Sequence, residues 1–264
     1  VPIRVVVNGA LGRAGQEVVR AVLADPELRL VGAVDVNVSQ QYLPVPDHPD
    51  LVPISSNFGA LVDRARPDVI VDFSRAQAAV DAARIALPLK VGMVIGTTGL
   101  SDRDVEEIRS LCLQHKAGAV IAANFALGAV LLMHLAAIAS RFFANAEIIE
   151  MHHDKKVDAP SGTALATARM MADARGTRFV YPPTEKEVLA GVRGGEVQGI
   201  AIHSVRMPGI MASQEVVFGG KGQTLVLRHD ALSRESYTPG VVLAVKEVVK
   251  KRELVLGLDK LMGL

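Results

Sequence analysis

Through the first half of the chain, short β-branched runs alternate with segments whose apolar residues recur every three or four positions. This pattern predicts strands at Ile3–Val7, Leu30–Asp35, Val69–Phe73, Gly92–Ile95 and Ala119–Ala122. Helices are expected between them at Gly15–Ala24, Asn57–Ala65, Arg75–Ala86 and Asp102–His115. Several of the strands are continuous apolar runs rather than in-and-out alternations, as a sheet covered on both faces requires. Strand and helix alternating at this spacing imply βαβ units and a parallel sheet.

The pattern changes after Asn124. A long apolar helix is expected over Phe125–Phe143, then a strand at Ala146–Met151 and a helix at Thr163–Arg175. Strands at Gly199–Arg206, Gln214–Phe218 and Gln223–His229 follow in a Gly-rich setting with no helix between them, which suggests a mixed or antiparallel sheet. A helix over Pro239–Lys250 closes the chain. The reading is an α/β domain of residues 1–124 plus 235–264, with an inserted α+β, mixed-sheet domain of residues 125–234.

The first strand runs into GALGRAG, Gly9 to Gly15, at the mouth of a helix. A glycine at the strand end permits a tight turn. One at the crest lets backbone approach a pyrophosphate, and one inside the helix lets helix and strand pack closely. The helix start then turns free N–H groups toward the phosphates. Asp35 ends the second strand twenty residues after Gly15, where an acid would bond the ribose hydroxyls of a dinucleotide. The first domain is therefore read as Rossmann-type. Val36, not a cation, follows Asp35, so NADH should serve at least as well as NADPH; Arg13 in the loop is the counterweight. GTTG (Gly96–Gly99) and AANF (Ala122–Phe125) also fall at strand ends, where open α/β sheets bind ligands.

The richest segment is EIIEMHHDKKVDAPSGTALA, Glu147 to Ala166. His152 and His153 stand at a strand end, Lys155 and Lys156 follow, and Ser161 can cap the next helix. Imidazole, ammonium and a helix N-terminus so close together suit a carboxylate substrate that must also receive a proton. The competing reading is a polar loop, with Lys155 the plain solvated member. A metal site is disfavoured, because no cysteine is near and no third ligand has suitable spacing.

Bulk properties narrow the field. Of 264 residues half are hydrophobic, and 29 basic side chains face 28 acidic ones, which argues against a phosphate-neutralising nucleic-acid binder. The lone cysteine, Cys112, cannot form an internal disulfide and reads as a structural thiol in a reducing compartment. The opening VPIRVVVNGA lacks signal-peptide character, and no apolar stretch reaches the ~20 residues needed to span a bilayer, so a cytoplasmic protein without membrane partners is expected.

With EMHHDKKVDAPSGTA in view, together with the N-terminal loop, VDFS, VIGTTG, AANFALG and HSVR in that order, the chain resembles the 4-hydroxy-tetrahydrodipicolinate (dihydrodipicolinate) reductase family over nearly its whole length. The resemblance implies hydride transfer from NADH and/or NADPH to a small cyclic dicarboxylate in diaminopimelate and lysine synthesis. It also implies a homotetramer assembled through the second domain's sheet. By motif match His152 is the proton donor and Lys156 a second acid group, while His153, Gly162 and Thr163 hold substrate carboxylates. Gly9, Ala10, Leu11, Gly12, Arg13, Ala14, Asp35, Gly96, Thr97, Thr98, Ala122, Ala123, Asn124 and Phe125 would line the cofactor. Departures are Ala14 where many relatives carry Met, Val36 after Asp35, and ASQEVVF after HSVR, which leaves the role of Glu215 open. Domain closure is expected about hinges near Asn124–Phe125 and Arg234–Thr238. Two alternatives stand beside this reading: a dehydrogenase for an amino acid or sugar, and an NADH-binding sensor in which the histidines and lysine would be dispensable.

Overall fold

A computed structural model describes residues 1–45 and 51–264 and divides them into two compact units, Val1–Phe125 with Tyr237–Leu264, and Ala126–Ser236.

The first unit is built from β1 (Ile3–Asn8), α1 (Arg13–Ala24), β2 (Leu28–Val34), β3 (Ile54–Ser55), α2 (Phe58–Ala65), β4 (Val69–Asp72), α3 (Ala76–Ala86), β5 (Gly92–Ile95), α4 (Asp102–His115) and β6 (Ala119–Ile121). After an excursion into the second unit, described next, the chain returns through a helix over Thr238–Val248, a strand over Leu254–Leu256 and a short helix over Asp259–Met262. That strand pairs in parallel with β6, so the sheet has seven strands, all parallel, in the order Leu254–Leu256, β6, β5, β4, β1, β2, β3. Every residue of β4 and β5 is buried, as their continuous apolar runs require. One face is covered by α2, α3 and α4 around Leu61, Val80, Ala83, Ile108 and Cys112. The sequence reason is plain in α1, where Gly15, Val18, Val19 and Val22 recur at helical spacing and are the buried residues. In α4 a capping box joins Ser101 and Asp104, which fixes the helix start.

The second unit comprises α5 (Leu127–Ala139), β7 (Asn145–His152), α6 (Gly162–Arg175), β8 (Gly195–Val197), β9 (Ile200–Arg206), β10 (Ala212–Gly220) and β11 (Gln223–Ala231). Continuing in chain order, the returning helix is α7, the strand β12 and the last short helix α8. The five-stranded sheet runs β11-β10-β7-β9-β8 and is mixed: β7 is parallel to β9 and antiparallel to β10. Its buried face packs on α5 and α6 through Leu132, Ala136, Ile148, Ala168, Met171, Val216 and Phe218.

Three details depart from the sequence expectation. Helix α5 is shorter than Phe125–Phe143, because Ala126 is extended and Phe125 is held against Phe73 with ring centroids 5.7 Å apart. At its far end Arg175 donates to the carbonyls of Ser140 and Phe143, satisfying the chain as it leaves the helix. Helix α1 begins at Arg13 rather than Gly15, with Gly12 as its extended N-cap. The short strands β3, β8 and β12 carry too few residues to register as a pattern. Among the described residues, no helix is long and apolar enough to cross a membrane.

Candidate functional site

In the first unit the strand order reverses between β1 and β4, so the connections after them leave in opposite directions and open a crevice at their carboxyl ends. The glycine loop lies there. Gly9 has φ +79°, and a Cβ on it would stand 2.7 Å from the Phe73 carbonyl oxygen; one on Gly15 would collide with the Gly9 carbonyl. Gly12 is different. Its φ is −68°, ordinary for any residue, and an added Cβ would touch only the Gly9 carbonyl, at 3.2 Å. The backbone angle does not demand glycine at Gly12, but the Gly9 carbonyl crowds an added Cβ, and the crest is exposed. No side chain caps α1 and no acid sits in its first turn, so the cradle fits an anionic pyrophosphate.

Asp35 is buried behind this loop, where its carboxylate accepts from the Leu11 N–H at 2.9 Å and the Asn37 N–H at 3.0 Å. It thereby shapes the loop. Asp72, fully buried at the end of β4 within the VDFS stretch, has no local signal of a role because it sits inside an apolar run. It accepts from Asn8 Nδ2 (2.6 Å), Ser74 N (3.1 Å), Ser74 Oγ (2.8 Å) and Thr97 Oγ1 (2.6 Å), tying together the turns after β1, β4 and β5. The Thr97 hydroxyl hydrogen is thereby committed inward, so toward a ligand this side chain can only accept. Of the remaining expected residues, Gly12, Arg13, Thr98 and Ala123 are exposed, Leu11, Ala14, Gly96 and Asn124 are half-buried, and Ala10, Ala122 and Phe125 are buried.

In the second unit β7 ends at His152, whose Nδ1 lies 2.6 Å from Glu150 Oε2. Glu150 is completely buried and is clamped by Arg206 of β9, Nη1 to Oε2 at 3.0 Å and Nη2 to Oε1 at 2.7 Å. Oε1 also accepts the Ser161 N–H at 3.2 Å. Ser161 caps α6 by accepting from the Ala164 N–H, which leaves the N–H groups of Gly162 and Thr163 pointing out of the helix start. An added Cβ on Gly162 would meet nothing within 4 Å, so the helix start is uncrowded at that residue. Lys156 pairs with Asp158 at 2.7 Å, Lys155 is exposed, and His153 accepts the Lys156 N–H through its carbonyl at 3.1 Å. Burial, joined by the Lys156 and Arg206 charges, lowers the His152 pKa below the ordinary imidazole value against the opposing pull of Glu150. Burial opposes ionisation of Glu150, but hydrogen bonds from Arg206, Ser204 and His152 together hold its pKa below the usual value. Glu215 lies across β10 and β11 from Arg228, in an ion pair at 3.0 Å. Cys112 is buried and its thiol is pushed up to about 11 by burial, which suits an unreactive core residue.

The model for the N-terminal part of dihydrodipicolinate reductase matches residues 3–125, and that for its C-terminal part matches residues 128–262. The chain belongs to the dihydrodipicolinate reductase family. Members of this family are oxidoreductases. A 4-hydroxy-tetrahydrodipicolinate reductase of Dehalococcoides mccartyi is 50% identical over 263 residues, spanning 100% of this chain and 99% of that protein. One from Moorella thermoacetica is 49% identical, with 98% of each covered. The dipicolinate-bound dihydrodipicolinate reductase from Paenisporosarcina sp. TG-14 superimposes with a TM-score of 0.89 at 40% identity, over 98% of this chain and 99% of that one. An amine dehydrogenase from Mycobacterium smegmatis, at 14% identity and a TM-score of 0.66, shares the fold alone. Glu150 and Arg206 lie in the stretches that carry the family resemblance, but local pattern assigns them no role. Their signal was available: a charged residue on the buried parity of a strand needs a partner.

Proposed function

We propose that this chain reduces 4-hydroxy-tetrahydrodipicolinate to tetrahydrodipicolinate in diaminopimelate and lysine synthesis, with NADH and/or NADPH as hydride source. The observation that carries the reading is one carboxylate touching two functional parts: Glu150 binds the His152 imidazole through Oε2 and the cap of the α6 N-terminus through Oε1. A proton donor and a carboxylate receptor are thus built on a single buried anchor.

The dinucleotide would be held by the loop Gly9–Ala14, Asp35, and the turns Gly96–Thr98 and Ala122–Phe125, and when bound it supplies the hydride. The remaining requirements are a proton and, from the hydroxylated ring, departure of water. In this reading the Gly162 and Thr163 N–H groups and His153 receive the substrate carboxylates. His152 donates the proton, and Lys156 assists as a second acid group. In the free protein burial keeps His152 largely neutral; a dicarboxylate beside it favours the imidazolium, so the acid is charged as substrate arrives. Asp35, followed by exposed Val36, offers no cation to a ribose phosphate, which supports NADH being used at least as well as NADPH.

The reading extends to a homotetramer in the cytoplasm. The sheet face opposite α5 and α6 carries Ile149, Met151, Val205, Val217 and Val226 between the ion pairs Glu147–Arg193 and Glu215–Arg228, a mixed surface suited to a second copy.

The test is turnover of the condensation product of pyruvate and aspartate semialdehyde, followed by loss of reduced nicotinamide. His152→Ala and Lys156→Ala should each lower kcat by ~10²-fold or more. Near-normal kcat in both variants, or strong preference for NADPH in the parent, would overturn the corresponding assignment.

A further inference from the structure

We infer that Glu150 is a positioning residue that fixes the Nδ1–H tautomer of His152, making Nε2 the nitrogen that carries the transferred proton. The inference rests on the proposed role of His152 as the acid.

Five donors surround the Glu150 carboxylate: Arg206 Nη1 and His152 Nδ1 at Oε2, Arg206 Nη2 and the Ser161 N–H at Oε1, and the Ser204 side chain. An ionised carboxylate can only accept, so the nitrogen 2.6 Å from Oε2 must carry hydrogen. The bidentate guanidinium keeps the carboxylate charged in a site with no solvent exposure. Arg206 is itself fixed, since Nη2 also donates to the Asp158 carbonyl at 2.7 Å. With Nδ1 occupied, proton gain and loss at His152 take place at Nε2, the far side of the ring from the anchor. The charged groups facing the imidazole are Glu150 on its own strand, Arg206 on β9 and Lys156 in the following turn; Ala212, its partner on β10, is neutral. Because Oε1 holds Ser161, the orientation of the ring and the place of the α6 N-terminus are set by one rigid group. Free imidazole side chains favour the opposite, Nε2–H tautomer, so the Nδ1–H form is a distinctive signature.

The experiment is 15N NMR of the full chain with imidazole-labelled histidine, His152→Gln identifying the His152 signals among those of the seven histidines. Above its titration, wild-type His152 should show a protonated Nδ1 and a bare Nε2. In Glu150→Gln the amide oxygen can keep the Ser161 contact while its NH2 faces Nδ1, which turns the tautomer over. That variant should lose ~10²-fold in kcat with roughly unchanged KM, and Glu150→Asp should recover part of the loss. An Nε2–H tautomer in the wild type would overturn the inference, even if Glu150→Gln did not fold. So would normal kcat in Glu150→Gln alongside a crippled His152→Ala. If His152→Ala itself retained activity, the catalytic reading would fail while the spectrum still decided the tautomer.

Discussion

Asp72 offers a direct measure of how far the crevice depends on one buried charge. Its carboxylate is fully buried and its four donors come from three separate turns. In Asp72→Ala all four lose their short acceptor, and Asn8 and Thr97 keep only long contacts, to Ser74 Oγ at 3.5 Å and to the backbone carbonyl of residue 72 at 3.4 Å. Ser74 is half-buried and water can replace its bonds, but the Asn8 amide and the Thr97 hydroxyl are themselves buried. Two buried donors left with only such weak contacts, at about 1–3 kcal/mol each, give an expected loss of at most about 2–6 kcal/mol. That is a large share of the ~5–15 kcal/mol typical of a folded chain. Asp72→Asn should be much milder. Its oxygen can still receive Ser74 and Thr97, and Asn8 can rotate its amide to accept from the new NH2 group. The chain has no tryptophan, so urea unfolding is best followed by far-UV circular dichroism, comparing midpoints at constant slope. The Asn variant should fold, with the KM for the nicotinamide cofactor raised more than that for substrate, since the disturbed turns are those assigned to the cofactor. An alanine variant that lost less than about 1 kcal/mol would show that the network is not what holds these turns together.

Stability should also depend on pH above the carboxylate range. Burial lowers both His152 and His229, so the unfolded chain binds more protons than the folded one just below 6.5; this stabilisation is complete above that value and fades as pH falls through it. The thermal midpoint should therefore drop between about pH 7.5 and about pH 5.5, and equal midpoints would contradict the assignment. Gly9→Ala, with φ +79° and backbone 2.7 Å from the added carbon, should cost at least ~1–2 kcal/mol. Gly59→Ala, in α2 with nothing closer than 3.9 Å, should be neutral or stabilising by up to ~1 kcal/mol in the same unfolding assay. Equal effects at the two positions would refute the steric argument.

Consecutive residues were enough to specify the parallel sheet, the glycine loop, the mixed character of the second sheet and the His-Lys-Ser-Gly-Thr stretch. All of these are local. Apolar periodicity, strand ends and helix caps are written in consecutive residues, so their chemistry can be read along the chain. Tertiary structure alone decided which strands are neighbours, and with that the meaning of residues whose partners are remote. Asp72 meets Asn8 64 residues earlier and Thr97 25 later. Glu150 meets Arg206 56 residues away only because β7 and β9 pair in parallel with His152 opposite Arg206. The start of α5 likewise follows an extended Ala126, next to Phe125 whose ring packs on Phe73, 52 residues earlier in the chain. A one-dimensional pattern records that a charge falls on a buried face. Only folding supplies the group that makes the burial tolerable, because that group's position is fixed by strand order and register rather than by distance along the chain.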